Sequence, residues 1–214
     1  AIQEKRFGKF YLVQLNVFWS RPQSYYDSAD WRGKRETDGG ALMNQASHYV
    51  DLAEWLIGPV AEVQAMISTL ARNIEVEDTG VVNIKWCNGA LGSVAVTMLT
   101  YPKNYEGSIT VIGEYGTVSI GGEALNEIIH WEFKEKTSQD DLVYDSNYES
   151  KSVYGNGHLK YFKNIVDVFK GEAISAVDGL EGLKSLELLI AIYKSAEENK
   201  TISLPIERNL IDDN

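Results

Sequence analysis

"TGVVNIKWCNGALGSVAVTML", residues 79–99, reads as two apolar strands broken by the turn "CNGA" at 87–90. Asn-Gly between apolar runs is a strong hairpin signal, because both residues tolerate the positive φ that a tight turn needs. Working outward, similar runs recur with no helical pattern between them. "AEVQAMISTLA" (61–71) precedes the hairpin, and "GSITVIGE" (107–114), "GTVSIGG" (116–122) and "EIIHWEFK" (127–134) follow it. Strands that succeed one another without helices build an antiparallel sheet. Nearer the start, "KFYLVQLNVFW" (9–19) alternates: Tyr11, Val13, Leu15, Val17 and Trp19 share one face, Gln14 and Asn16 the other.

Three segments carry a helical period instead. "GGALMNQASHYVDLAEWLIG" (39–58) reads as one amphipathic helix, with Asp38 as its N-cap and Gly58–Pro59 as its stop. "GHLKYFKNIVDVFKG" (157–171) places Leu159, Phe162, Ile165, Val166 and Phe169 on one stripe, and "GLEGLKSLELLIAIYKSAEENK" (179–200) is a longer amphipathic helix. "TISLPIE" (201–207) is a short extended piece and 208–214 a tail. The fold class is therefore α+β: a wide, open-faced, mainly antiparallel sheet with helices on one face. The uncovered face carries Ile128, His130 and Glu132 in one register and is mixed in polarity. Such a face is expected to pair copies of the chain into a homodimer or tetramer. "AIQEKRFGKF" (1–10) reads as the last turns of a helix, capped by Gly8.

Composition narrows the function. The 214 residues carry a formal net charge of -11 and no Lys/Arg cluster to offset it, which excludes a nucleic-acid partner. No apolar run approaches the ~20 residues of a membrane helix, and the opening residues lack the apolar centre of a signal peptide. The single cysteine, Cys87, allows neither an internal disulfide nor a cysteine-rich zinc site, and is expected as a small buried hydrophobe. His48, His130 and His158 show no ligand spacing, so no metal is expected. A cytoplasmic location is the expectation.

No nucleophile elbow, phosphate-binding P-loop or G-x-G-x-x-G turn after a strand is present. The segment 39–58, however, carries Asn44, His48 and Asp51 on one side where apolar residues would be usual. A His with an amide one turn earlier can form an acid–base or hydroxyl-binding pair. The same spacing also fits a half-buried His satisfied by Asp51 or the backbone, and spacing alone leaves both open. "SRPQSYYDSADWRGKRETD" (20–38) is a long polar loop rich in aromatic and basic residues, a length usual for functional loops. His158 follows two glycines at a helix start, where it can contact an anion or simply cap.

Taken together, "FGKFYLVQLNVFWSRPQSYYDSADWRGKRETDGGALMNQASHYVDLAEWLIGPV", "GTVSI" and "GLKSLELLIAIYKSAEENK" resemble the C-terminal domain of the Gfo/Idh/MocA oxidoreductases, with its dihydrodipicolinate-reductase-like fold. The motif is Gly39–Gly40, a polar residue at Asn44, His48 four later and Asp51 three beyond. Within the family, "RPQSYYDSADWRG" followed by "GGALMNQASHYVD" is most similar to UDP-N-acetylaminosugar 3-dehydrogenases, acting on UDP-N-acetylglucosamine or its uronic acid. The resemblance implies that His48 and Asn44 lie beside the reacting hydroxyl, with His48 assisting proton removal. It implies that Gln45 hydrogen-bonds the sugar, that Tyr25, Tyr26, Trp31 and Arg32 line the sugar-nucleotide pocket, and that His158 can contact phosphate.

Many relatives carry Asp where this chain has Asn44, which cannot take a proton. The family's dinucleotide-binding domain, which would hold NAD or NADP, and its E-K-P lysine have no counterpart in these residues. Residues 1–9 are thus expected as the end of a linker helix from that domain, 10–207 as the substrate-binding and oligomerisation domain, and 208–214 as the tail. Alone, the chain is expected to be inactive. The alternatives are a non-catalytic sugar-binding or assembly module of the same fold, or a family dehydrogenase acting on a free polyol such as inositol.

Overall fold

A computed structural model describes residues 1–122, 124–149 and 157–206. Eight strands form one sheet: β1 (Phe10–Phe18), β2 (Val60–Ser68), β3 (Thr79–Trp86), β4 (Leu91–Thr97), β5 (Glu106–Gly113), β6 (Gly116–Gly121), β7 (Glu127–Phe133) and β8 (Ile202–Ser203). Their order is β7-β6-β5-β1-β4-β3-β2-β8. Successive strands pair as hairpins, antiparallel, as the run of strands without helices predicts. The exception is β1, which is inserted in the middle, antiparallel to β5 and parallel to β4.

The alternation in β1 places Val13, Leu15, Val17 and Trp19 in the core. Tyr11 departs from the expected face and stands exposed, because a register shift between Phe10 and Leu12 against β5 moves it out of phase. Cys87 is also exposed, contrary to expectation. It sits one residue past the end of β3, in the turn that Gly89 (φ 88°) closes.

The helices are α1 (Gln23–Tyr26), α2 (Ser47–Ile57), α3 (Gly157–Phe169) and α4 (Gly179–Glu198). Two of them cover the sheet. α2 buries Tyr49, Val50, Ala53 and Ile57, and α4 buries Leu188, Leu189, Ala191 and Ile192, in one cluster with Val63, Val82, Ile84 and Val94. Asp178 starts α4 by accepting from Leu180 N and Glu181 N at 2.9 and 3.0 Å, and Asn199 ends it in the left-handed conformation. α3 buries none of its residues: its stripe Leu159, Phe162, Val166 and Phe169 is exposed.

The other sheet face mixes exposed Leu12, Met66, Val81 and Leu91 with a hydrogen-bonded polar band. In that band Ser93 Oγ donates to Gln14 (2.7 Å), Gln14 to Asn16 (2.9 Å) and Asn16 to Glu106 (2.8 Å).

Residues 2–7 form turns rather than helix, in a pattern by which helices close. Arg6 N reaches Ala1 O at 3.0 Å and Lys5 N reaches Ile2 O at 2.9 Å. Lys5 (φ 57°), not Gly8, occupies the left-handed closing position. Arg6 then pins the segment to the far side of the sheet through two 2.7 Å bonds to the Asp140 carboxylate, which the guanidinium holds well below the usual acid range. The tail 208–214 lies outside the described residues, as does residue 207.

Candidate functional site

The segment 39–58 is not one helix. Asn44 N bonds to Gly40 O at 2.9 Å, but Ala46 N reaches back to Ala41 O at 2.8 Å, a wider turn, and α2 starts only at Ser47. A tertiary contact explains the break. Glu77, buried at the entrance to β3, accepts from Ala41 N through its backbone carbonyl (3.0 Å) and from Leu42 N through its carboxylate (2.9 Å). The same carboxylate oxygen accepts from the Tyr193 hydroxyl of α4 (2.8 Å), and that hydroxyl in turn accepts from Met43 N (3.2 Å). A Cβ on Gly40 would stand 1.8–2.1 Å from the Glu77 carboxylate, so no other residue fits there. Burial pushes the Glu77 carboxyl above the usual acid range, although the Leu42 and Tyr193 bonds oppose the shift. Burial and the neighbouring Glu77 push the Tyr193 phenol far above its ordinary value.

Asp38 does not cap α2. Its carboxylate bridges two parts of the site instead, accepting from Gly33 N at 2.6 Å and from the Asn44 side-chain amide. The aromatic loop and the Asn44 turn are therefore joined by one residue. Gly33 (φ 68°) packs against Ile74 and Tyr26 in a way that leaves no room for a Cβ.

The loop 20–38 is ordered by stacking of rings and guanidinium groups. Arg32 lies 4.5 Å from the Trp31 ring centre and 4.1 Å from that of Tyr25, and Arg21 lies 5.2 Å from both Tyr25 and Trp19. Trp19 meets Tyr49 of α2 edge to face, with centres 6.2 Å apart. A ladder of alternating rings and cations thus runs from exposed Trp31 to the helix that carries His48. Tyr26 lies beneath it against Tyr25, its phenol pushed up to about 12, chiefly by burial.

Two polar groups in this region lack partners. The Gln45 side chain is only 4% exposed, and among the described residues nothing hydrogen-bonds its amide. The Arg32 Nε is buried and unpaired. Buried polar groups are nearly always satisfied, and Arg32 Nε shares the unpaired state with only Glu54 Oε2 and Trp86 Nε1 among the described residues. His48, on the first turn of α2, is exposed, with no hydrogen-bond partner for its imidazole among the described residues. Asp51 bonds to Ser185 Oγ of α4, so it does not hold His48 as a structural pair.

The structure therefore brings Tyr25, Tyr26, Trp31, Arg32 and Asn44 together, with Gln45 and His48 adjoining along the chain. His158 lies on the first turn of α3, exposed. None of these residues lines the described cavities of about 1010 and 580 Å³. The sequence reading missed Glu77, Tyr193 and the Asp38 bridge. Among the described residues no His/Cys/Asp/Glu group could hold a metal, and no helix is long and apolar enough to cross a membrane.

Residues 1–204 match the model of the oxidoreductase family's C-terminal alpha/beta domain. The chain belongs to the Gfo/Idh/MocA oxidoreductases. Among solved members, the WlbA dehydrogenase of Chromobacterium violaceum, in complex with NADH and UDP-GlcNAcA, is 60% identical with a TM-score of 0.91 over 97% of this chain and 58% of its own. The WlbA dehydrogenase of Bordetella pertussis, with the same ligands, is 56% identical with a TM-score of 0.93 over 97% of this chain and 60% of its own. The levoglucosan dehydrogenase of Pseudarthrobacter phenanthrenivorans is more distant, 25% identical over 122 residues, which are 46% of this chain and 31% of that protein. This Gfo/Idh/MocA domain thus spans well under two thirds of the length of each of these relatives.

Proposed function

We propose that this domain is the substrate-binding and oligomerisation part of a cytoplasmic NAD-dependent dehydrogenase that oxidises C3 of a UDP-N-acetylaminosugar. The observation that carries the reading is identity of 56–60%, across 97% of the chain, to two dehydrogenases solved with UDP-GlcNAcA and NADH. The geometry supports it independently: an exposed imidazole, a nearly buried amide and a guanidinium whose Nε is buried and unpaired lie on connected elements.

The chain's residues fit the sugar-nucleotide side of such a site. The Arg32 guanidinium, stacked between Trp31 and Tyr25, offers its donors to a phosphate or uronate. The amides of Asn44 and Gln45 orient the sugar, and His158 can reach a phosphate from α3. The His48 imidazole accepts the C3 hydroxyl proton. No glycine-rich turn between a strand and a helix occurs among the described residues, so the dinucleotide phosphates would be held by the rest of a longer protein. When bound, the nicotinamide supplies the hydride acceptor. The mixed outer sheet face would join copies of the protein.

The test is NAD reduction by the full-length protein with UDP-GlcNAcA, UDP-N-acetylglucosamine and inositol compared side by side. Turnover only with a UDP-aminosugar supports the reading. Turnover only with inositol, or sugar-nucleotide binding without any NAD reduction, refutes it. Light scattering that shows monomers alone refutes the oligomeric part.

A further inference from the structure

Asn44 is an amide with two chemically opposite ends, and which end faces outward decides what it can bind. Its Nδ2 donates to the Asp38 carboxylate, whose other oxygen is committed to Gly33 N at 2.6 Å. A carboxylate accepts and cannot donate, so it admits only the NH2 end of the amide. The Oδ1 end is left facing away, and among the described residues no donor reaches it. Asp38 itself is half-buried, and its side-chain hydrogen bonds go to Asn44 and the Gly33 backbone.

We infer that Asp38 is a positioning residue that fixes the polarity of Asn44, making it a hydrogen-bond acceptor for a hydroxyl or N–H of the substrate. The inference rests on the reading of the site given above. It explains why an amide suffices at position 44: held by Asp38, the amide offers one carbonyl oxygen of fixed direction. It also separates Asp38 from a mere loop clasp, because the two roles respond differently to one substitution.

In D38N the new amide can still accept from Gly33 N, so the loop stays joined. Its NH2 now faces Asn44, which must turn over and present a donor outward. In the full-length protein, D38N should lower kcat/KM for UDP-GlcNAcA by about 10–100-fold, mainly through KM, with an unchanged unfolding midpoint. In D38N/N44D the inner pair is again donor to acceptor and a carboxylate oxygen faces outward, so activity should return to within a few-fold of wild type. A D38N variant as active as wild type, or a double variant no better than D38N, overturns the proposal. If the wild-type protein reduces no NAD with any UDP-sugar, it is the functional reading that fails. Asp38 is then judged by the Asn44 side-chain NH2 resonances in ¹⁵N-asparagine-labelled protein. Protection from solvent exchange in wild type that disappears in D38N upholds the proposal, and equal exchange in both overturns it.

Discussion

The turn 39–46 is held on one flank by buried Glu77, bonded to half-buried Tyr193, and on the other by half-buried Asp38. Both flanks use a carboxylate that accepts backbone and side-chain donors. The buried one bonds to the turn's backbone and to α4, and its charge is costly to keep. The outer one bonds to Asn44 and to the loop that carries Arg32. In the function proposed above, the same chemistry therefore sets stability on one side of the turn and serves ligand recognition on the other.

The largest effect expected lies on the outer side. His48→Ala should lower kcat of the full-length protein by about 10²–10⁴-fold, as loss of an acid–base group does. Its unfolding free energy should stay within about 0.5 kcal/mol, since the side chain is exposed. A variant that loses stability instead would place His48 with the scaffold.

Gly40→Ala comes next and should do the reverse. The added methyl collides with a carboxylate that cannot swing away, because Leu42 N and Tyr193 hold it. Urea denaturation should show a loss of about 2–4 kcal/mol. Retained stability would mean the inner flank is looser than its contacts imply.

Glu77→Ala should cost about 2–3 kcal/mol by stranding Leu42 N and the Tyr193 hydroxyl. Glu77→Gln should cost less, and it sharpens the comparison through pH. The folded-state pKa of Glu77 is raised, so in the interval above the ordinary glutamate range the folded chain binds more protons than the unfolded one. Stability therefore falls as pH rises through that interval. The glutamine variant should flatten this slope in denaturation curves measured from acid to neutral pH. Tyr193→Phe, the smallest change, should cost about 1–2 kcal/mol by removing the hydroxyl between Met43 N and Glu77.

The strands were legible because a half-buried sheet writes its period directly into the chain, and β2 to β7 start and end close to where their apolar runs do. The family motif singled out Asn44 and His48, and the resemblance of the loop Arg32, as candidates whose roles belong to the proposed function. What could not be read was whatever depends on a distant partner. "GGALMNQAS" has the residues of a helix start, and only Glu77, some thirty-five positions away, bends it into a turn. Glu77 lies in "EVEDTG", a stretch whose local pattern singles out no residue, although both it and Asp78 are buried. Asp38 looked like a cap because Asp often caps. Its real partners are set by the loop folding back, which no local spacing records. α3 shows the opposite limit: its stripe was legible, yet among the described residues nothing buries it.

The position of β1 has a consequence for how the chain folds. The hairpins through β2, β3 and β4, and those through β5, β6 and β7, join strands that are neighbours in sequence and can close early. β1 pairs Leu12 with Leu91 and Phe10 with Gly113, closing much longer loops, and such contacts form late because their entropy is lost before they are rewarded. The first strand of this domain is then among the last to find its place, and it is the seam that turns two separate meanders into one sheet.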